Sequence, residues 1–566
     1  MYTLGLDYGT NSCRAIIVDC TNGNVVGISV YNYPSGIDGV LADSANPLVA
    51  RQNPADYISG LESSVLGAIA EAKKNDSKFS PQDIIGIGMD GTGSSPIPVN
   101  AQNIPLGILS EFKDNLNAQC WIWKDHSSYA EAEEITSLAE KIRPEYLKRC
   151  GGKYSSEWFW AKILRCLNID EQVYNAAYSW VELSDYIPSL LAGIDNPNNI
   201  VRGVCMAAHK AMYCDDWQGL PDVDFLNALN PKLPSLLQNL YKKAYPADRP
   251  AGFLCKEWAN KLGLNEGICI AIGEMDVHYG AIGCGISEGT MVKAIGTSTC
   301  DCIVFDKSQS VPYIEGISGI ADGSILPDKI SIEAGQSAVG DIFKWFAQTL
   351  CENELSILAE LDKKAMQLKV GQSGIIALDW NNGNRSVLLN PLLTGVILGQ
   401  TLRTTKAEVY RALVEATAFG ARVIKERITS CGVKIEKIIC CGGLAEKSKL
   451  LMQIYADVMK CEIQAASTSQ GCALGAAISA AVCAGEERGG YKNFTDAIAQ
   501  MVSPNTKRYV PILANSAVYD ELFNIYMRLH DSFGGISTSS NLSDVMETLG
   551  TIATKSKKSE ELVPYA

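Results

Sequence analysis

The segment Tyr8-Gly9-Thr10-Asn11-Ser12-Cys13-Arg14-Ala15-Ile16-Ile17-Val18-Asp19 has a second copy 287 positions on, Ile295-Gly296-Thr297-Ser298-Thr299-Cys300-Asp301-Cys302-Ile303-Val304-Phe305-Asp306. Gly, Thr, Cys, Ile and Asp recur in register. Each copy follows an apolar run, Thr3 to Leu6 and Met291 to Ala294, and leads into another, so each reads as strand, tight turn, strand. A shift near half the chain length predicts two related α/β halves that open with the same hairpin. A single Gly-Thr turn is an ordinary hairpin feature, and its repetition in register is what gives it weight. Glycine there admits positive φ and close approach, and successive amide N–H groups and hydroxyls can hold phosphate oxygens. Two such turns facing each other could grip a polyphosphate from both sides.

Outward from the first copy, residues 2–30 read as three strands, turning at Asp7–Ser12 and at Thr21–Asn24. A helix follows from Pro54, with Tyr57, Leu61, Val65 and Ile69 on one face. Ile84 to Met89 is a buried strand. Its Gly86-x-Gly88-x-x-Gly91 pattern imitates a dinucleotide fingerprint, but the glycines lie within the strand and a Ser-Ser-Pro turn stands where a helix should begin. An NAD site is therefore rejected, and with no Gly-x-x-x-x-Gly-Lys-Ser/Thr a P-loop is rejected too. Trp123-Lys124-Asp125-His126 puts three hydrogen-bonding side chains after a tryptophan, which suits a polyhydroxylated ligand better than a core. Beyond the strand Ile268–Ile272, Asp276 stands at the head of a small-residue segment, as a helix cap or the wall of a cleft.

Around the second copy, Ile332 to Ala338 leads into a helix through Trp345, and residues 405–429 form an amphipathic helix. Lys437 to Cys441 is a strand closed by Gly442-Gly443, with a helix from Ala445. The run Cys472 to Ile478 is a close-packed helix of small residues. From Gly534 the chain turns Ser/Thr-rich and then charged, the pattern of a solvated tail.

Composition narrows the function classes. The net charge of −14 argues against nucleic acid or an anionic membrane as partner. No signal peptide and no long apolar stretch stands out, so a cytoplasmic protein is expected. Nineteen cysteines lie scattered in apolar runs, which predicts reduced core thiols rather than a disulfide framework. Four histidines without a His-x-x-x-His pair make a zinc hydrolase a poor fit.

The Asp7-x-Gly9-Thr10 turn, the Gly296-Thr297-Ser298 turn and the strand–Gly442-Gly443–helix unit resemble the two phosphate motifs and the adenosine motif of the actin/Hsp70/sugar-kinase superfamily. Within it the chain resembles the FGGY carbohydrate kinases over residues 2–490. Gly395-Val396-Ile397-Leu398-Gly399, with Glu408-Val409 and Ala412 to Glu415, is similar to a family signature, although Gln400 replaces the usual aliphatic residue. Ala161-Lys162 stands in the usual Pro-Lys place of the other signature. Trp123 to His126, Tyr154 to Lys162, Ala208-His209-Lys210, Ile295 to Asp301 and Glu333 to Ser337 resemble the subgroup that phosphorylates L-ribulose.

The resemblance implies two RNase-H-like domains flanking an ATP cleft. Residues 1–285 would carry the sugar and the first phosphate turn, residues 286–490 the second turn and the adenosine side, and 491–566 an extension ending in the tail. It implies Asp276 as general base in transfer of the ATP γ-phosphoryl to the sugar, and Asp7 as the Mg²⁺ carboxylate. Gly9, Thr10, Ser12, Arg14, Gly296, Thr297 and Ser298 would contact phosphates, and Gly442 and Gly443 the adenosine. Trp123, Asp125, Lys210 and Glu333 would surround a ketopentose, with Ser95 near the pocket mouth. A late-leaving proton means that Asp276 needs no strongly raised pKa. The alternatives are a kinase for D-ribulose, D-xylulose or ribitol and, from another class, a non-enzymatic ATP-binding relative. Homodimerisation stays open.

Overall fold

The computed structural model describes residues 1–309, 313–351, 355–537, 539 and 541–565. The first half is organised on β1 (Tyr2–Tyr8), β2 (Ser12–Asp19), β3 (Val25–Asn32), β4 (Ile84–Gly91), β5 (Pro250–Phe253) and β6 (Cys269–Ala271), in the order β5-β6-β4-β1-β2-β3, with the short strand Glu274–Met275 also beside β4. The second half is organised on β7 (Thr290–Ile295), β8 (Thr299–Asp306), β9 (Gly319–Asp322), β10 (Lys329–Ala334), β11 (Lys437–Cys441), β12 (Glu462–Ala465) and β13 (Arg508–Tyr509), in the order β9-β10-β8-β7-β11-β12-β13. The path β3-β2-β1-β4-β6 and the path β10-β8-β7-β11-β12 are the same: three antiparallel strands, then two parallel to the first. The repeated sequence segment is the central hairpin of each, with Gly9–Asn11 and Gly296–Ser298 between the strands.

Helix α1 (Pro54–Asn75) starts as its sequence demands, with Pro54 in the first turn and the Asn53 side chain accepting from Ala55 N at 3.0 Å. Its Tyr57, Leu61 and Val65 are fully buried against β2 and β3. Four further helices position the cleft: α2 (Asp276–Gly283), α3 (Lys406–Ser430), α4 (Gly443–Lys447) and α5 (Gly471–Ala484). A capping box opens α3, the Thr405 hydroxyl accepting from Glu408 N while the Glu408 carboxylate accepts from Thr405 N. Helices α2 and α5 lie between the halves in one apolar cluster with Ile16 and Val18 of the first sheet and Val292, Cys302 and Ile439 of the second.

The small residues of α5 have a definite purpose. A Cβ on Gly5, Gly88 or Gly86 would lie 2.0 Å from Ala473 O, 2.0 Å from Ala476 O or 2.4 Å from Ala480 O. The glycines that imitate a dinucleotide fingerprint are thus the floor on which this helix sits. The other face of α5 meets α2, where a Cβ on Gly475 would lie 1.8 Å from Tyr279 O.

Two expectations are corrected. The chain end is no solvated tail: Val545–Lys558 is a helix whose Val545, Leu549 and Ile552 join the core of the second half. Beyond it Leu562 is buried and Tyr565 donates to Asp457. Cys269 and Cys483 are disulfide-bonded, joining β6 to α5, while the remaining 17 cysteines are free thiols as expected.

Candidate active site

Four carboxylates meet where the strands of the first sheet end. Asp7 pairs with Asp90, and Asp90 with Glu274, in register across neighbouring parallel strands, and Asp276 follows at the start of α2. Asp90 and Glu274 are buried, and none of their four carboxylate oxygens accepts a hydrogen bond. Burial raises Asp7, opposed by the Arg14 guanidinium at 3.0 Å. Asp90 is pushed well above the carboxylate range by burial, then by Asp7 and Asp276. Burial, then Asp7, lifts Asp276 to about 7, higher than the sequence argument required. Hard carboxylate oxygens of Asp7, which accepts from Arg14, and of Asp90, whose two oxygens have no hydrogen-bond partner, fit a divalent cation held by Asp7, with Asp90 beside it.

The two turns follow. Gly9 N donates to Ser12 O at 3.0 Å and Gly296 N to Ser298 O at 2.9 Å. Neither glycine has positive φ, contrary to the conformational argument from sequence. What each leaves is room: a Cβ on Gly9 would have no neighbour nearer than 3.5 Å, and one on Gly296 none nearer than 3.9 Å. The second turn is braced from behind, as Val339 N donates to Thr297 O at 2.8 Å and Gly340 N to Gly296 O at 3.0 Å. Beneath it the buried Lys293 ammonium donates to Asp301 at 2.8 Å, Gln336 Oε1 at 3.1 Å and Thr299 Oγ1 at 3.3 Å. Gly442 has φ +96°, and a Cβ there would lie 2.4 Å from Ile295 O, so the backbone itself demands glycine. Gly443, at the start of α4, faces open space on the side a Cβ would occupy. These cradles, with room at Gly9, Gly296 and Gly443, fit a nucleotide.

On the other side of Asp276, residues 123 positions apart meet. Lys210 ends the helix Val204–Lys210, and its ammonium donates to both oxygens of Glu333 on β10, at 3.0 and 3.2 Å. Lys210 is buried, not the surface lysine that its residue type suggests. Burial works against ionising Glu333, but Lys210 and then His278 outweigh it and hold its carboxyl well below the usual range. His278 Nε2 lies 3.4 Å and His209 Nδ1 3.8 Å from Glu333 Oε2. These are donors a metal could use, but the Lys210 ammonium already occupies both carboxylate oxygens, so the cation is supplied. Trp123 donates from Nε1 to Thr10 Oγ1 at 3.0 Å, linking the aromatic segment to the first turn.

Two predicted sugar contacts have side chains engaged within the fold. Asp125 is fully buried in an ion pair with Arg51 and accepts from Ala50 N at 2.9 Å and Ser127 Oγ at 2.7 Å, so its acceptors are spent on the fold. Arg51 in turn stacks over Trp121, 3.4 Å from its centroid. Ser95 is also sealed, sharing a 2.9 Å hydrogen bond with Thr92 and donating from its amide to Glu182 at 2.6 Å. Three site residues escaped the sequence reading: Asp90, Lys293 and His278. Asp90 closes the imitation fingerprint, and His278 stands two positions after Asp276, the one signal that could have flagged it.

Comparison with known proteins bears on this geometry. Residues 2–283 match the N-terminal domain, and residues 291–484 the C-terminal domain, of the FGGY family of carbohydrate kinases. The chain is 40% identical over 548 residues to a ribulokinase of Halalkalibacterium halodurans, covering 94% of this chain and 95% of the relative. It is 39% identical to a ribulokinase of Vibrio parahaemolyticus, covering 90% and 92%. A xylulose kinase of Rhodospirillum rubrum superposes with a TM-score of 0.77 at 22% identity, over 95% of this chain and 99% of that one, which establishes the shared fold. The glycerol kinase of Plasmodium falciparum with ADP gives 0.75 at 17% identity, over 93% and 98%.

Proposed function

Since the chain belongs to the FGGY family of carbohydrate kinases and carries out ATP-dependent sugar phosphorylation, we propose that its substrate is L-ribulose and its product L-ribulose 5-phosphate. The observation that carries this reading is the position of Asp276: its proton affinity responds both to Asp7 at the phosphate end and to the Glu333–Lys210 pair on the other side. The ribulokinase relatives at 40% and 39% identity support the choice of sugar.

Phosphoryl transfer needs reactants held in line and charge offset on the phosphates. Asp276 accepts the proton of the terminal sugar hydroxyl as that oxygen attacks. Glu333 accepts from, and Lys210 donates to, the remaining hydroxyls, a polar match that rejects substrates lacking them. Trp123 walls the pocket on the side of Thr10. Thr10, Ser12 and Arg14 hold the terminal phosphates from one lobe, and the Gly296-Thr297-Ser298 turn from the other. Gly442 and Gly443 leave space for the adenosine. Asp7, with Asp90 beside it, would hold Mg²⁺, which when bound would supply positive charge against the phosphate oxygens. This reading gives Asp125 and Ser95 no sugar contact through their side chains, which are engaged within the fold.

The test is ADP release from purified protein with Mg-ATP and L-ribulose, D-ribulose, D-xylulose, ribitol or no sugar. Turnover highest with L-ribulose and near background without sugar is expected. Faster turnover with another polyol would keep the kinase and overturn the pocket assignment. In Asp276→Asn, transfer should vanish while ATP affinity stays within about twofold, because the amide cannot accept the proton.

A further inference from the structure

We infer that His278 is a positioning residue for the sugar site: its Nε2–H faces Glu333 Oε2 at 3.4 Å, beyond a formed hydrogen bond, and by charge–dipole attraction holds the Glu333–Lys210 pair against Asp276. The inference rests on the reading of Glu333 and Lys210 as sugar contacts.

The argument begins with protons. His278 is fully buried, and burial pushes its imidazole down, so the ring carries one proton. Nε2 faces Glu333 Oε2 at 3.4 Å, and a carboxylate held in its ionised form can only accept. A bare Nε2 would set two lone pairs against each other at 3.4 Å, closer than His209 Nδ1 comes to the same carboxylate, and the donors around Nδ1 decide the matter: the proton sits on Nε2. The other ring nitrogen agrees. Nδ1 lies 3.1 Å from the Ser324 hydroxyl and 3.1 Å from the Cys205 thiol, both able to donate into it. The Cys205 sulfur meanwhile accepts from Met275 N at 3.4 Å, which ties the same unit to the residue before Asp276.

His209 does not share this task. The Ser331 hydroxyl donates to Ala321 O at 3.2 Å, so it can only accept from His209 Nε2 at 3.3 Å. The single proton of His209 is therefore on Nε2, and its Nδ1, 3.8 Å from Glu333, is bare. Its ring stacks edge-on against His278 at 4.8 Å and serves as a wall. His278 is thus the imidazole that turns an N–H toward Glu333. It also joins the halves, since His278 shares α2 with Asp276 while Glu333 and Ser324 come from the second half. A carboxylate bonded by Lys210 and faced by the His278 N–H is drawn away from the general base.

Two substitutions separate positioning from packing. His278→Gln keeps an N–H at similar reach, whereas His278→Leu fills the space and cannot donate. His278→Leu is expected to raise KM for L-ribulose at least tenfold with KM for Mg-ATP within twofold, and His278→Gln to recover most of the loss. Equal behaviour of the two variants, or a parallel rise in both KM values, would overturn the inference. The second measurement needs no turnover: ¹⁵N spectra of the wild-type imidazoles, readable because the chain has four histidines. A neutral Nε2–H form of His278 is expected, and a proton on Nδ1 with Nε2 bare would refute it. Absence of sugar-stimulated ADP release in the wild type would defeat the kinase substrate reading, whereas the ¹⁵N result bears on the His278–Glu333 contact alone.

Discussion

Asp276 reads out two environments at once, and its titration reports on both. With its carboxyl raised to about 7 by burial and Asp7, the base form predominates only above that pH. The rate at limiting sugar should therefore rise with pH through about 7 and be lost as pH falls. Cation bound at Asp7 offsets the repulsion, so the limb in a kcat profile at saturating Mg-ATP should lie lower than the limb for the free protein. A limb that stays put in Asp276→Asn would assign the titration to another group. The adjacent glycines give a second contrast. Gly442→Ala forces a Cβ onto Ile295 O at positive φ and should cost about 1–3 kcal/mol of stability. Gly443→Ala has open space and should leave unfolding unchanged while weakening nucleotide binding, which calorimetry with ADP would measure. At this scale the family resemblance reached further than the residues alone: it grouped Lys210 with Glu333, which the structure joins at 3.0 Å, whereas residue type suggested a surface lysine. Asp125 shows the limit: Lys124-Asp125-His126 looks like one polar cluster, but the neutralising guanidinium of Arg51 comes from 74 positions upstream, which adjacency cannot reveal.

Among the elements, the pairing of β4 with α5 explains most about how the sequence should be read. Strand period, the hairpin repeat, Pro54 and the apolar faces of α1 and α3 are local signals, so these elements were found with bounds close to those observed. The reason for Gly86 and Gly88 was not local, because their partner, α5, lies almost 400 residues away. Helix α4 begins at Gly443, two residues before the expected Ala445, since the left-handed Gly442 makes the turn in one step. Replacing Gly88 by Ala drives a methyl to within 2.0 Å of Ala476 O, and neither backbone can retreat without lifting α5 from the sheet. We expect a loss of roughly 1–3 kcal/mol, seen as an earlier denaturation midpoint, together with weaker sugar binding because α5 also carries α2. Unchanged unfolding would mean that the helix floats on the sheet. Asp125→Asn makes the opposite case: it leaves Arg51 buried without its anion, which should cost about 3–5 kcal/mol, while KM for the sugar in the folded fraction stays near wild type.

At the scale of the molecule, two equivalent sheets clasp α2 and α5, and the chain end buttresses the second of them. Arg411 of α3 donates to Ala365 O at 2.9 Å, Leu368 O at 2.7 Å, Glu415 at 2.8 Å and Tyr519 at 3.2 Å, with the Tyr565 ring 5.1 Å over its guanidinium. From the helix Leu513–Phe533, Tyr526 donates to Asp379 at 2.8 Å, Asp379 accepts from Gln336 at 2.7 Å, and Gln336 accepts from Lys293 beneath the second turn. The extension is thus continuous with the phosphate side through buried polar contacts. Its fold was hidden because Val545, Leu549 and Ile552 keep helical spacing inside a Ser, Thr and Lys background that reads as solvent-exposed. Removing residues 541–566 takes away these apolar side chains, each worth about 1.5–3 kcal/mol when buried, against the ordering entropy that their loss returns. A net loss of about 2 kcal/mol should lower the melting temperature by roughly 4–8 °C, with sugar KM unchanged because Lys210, Asp276 and Glu333 lie in neither the helix nor its contacts. Tyr526→Phe tests the connection itself: it leaves Asp379 short of a donor and should raise KM for ATP while sparing KM for the sugar. If the truncation melts like the full chain, the terminal helix is only resting on the second half; if Tyr526→Phe shifts the sugar constant instead, the Lys293 network serves the wrong side of the cleft.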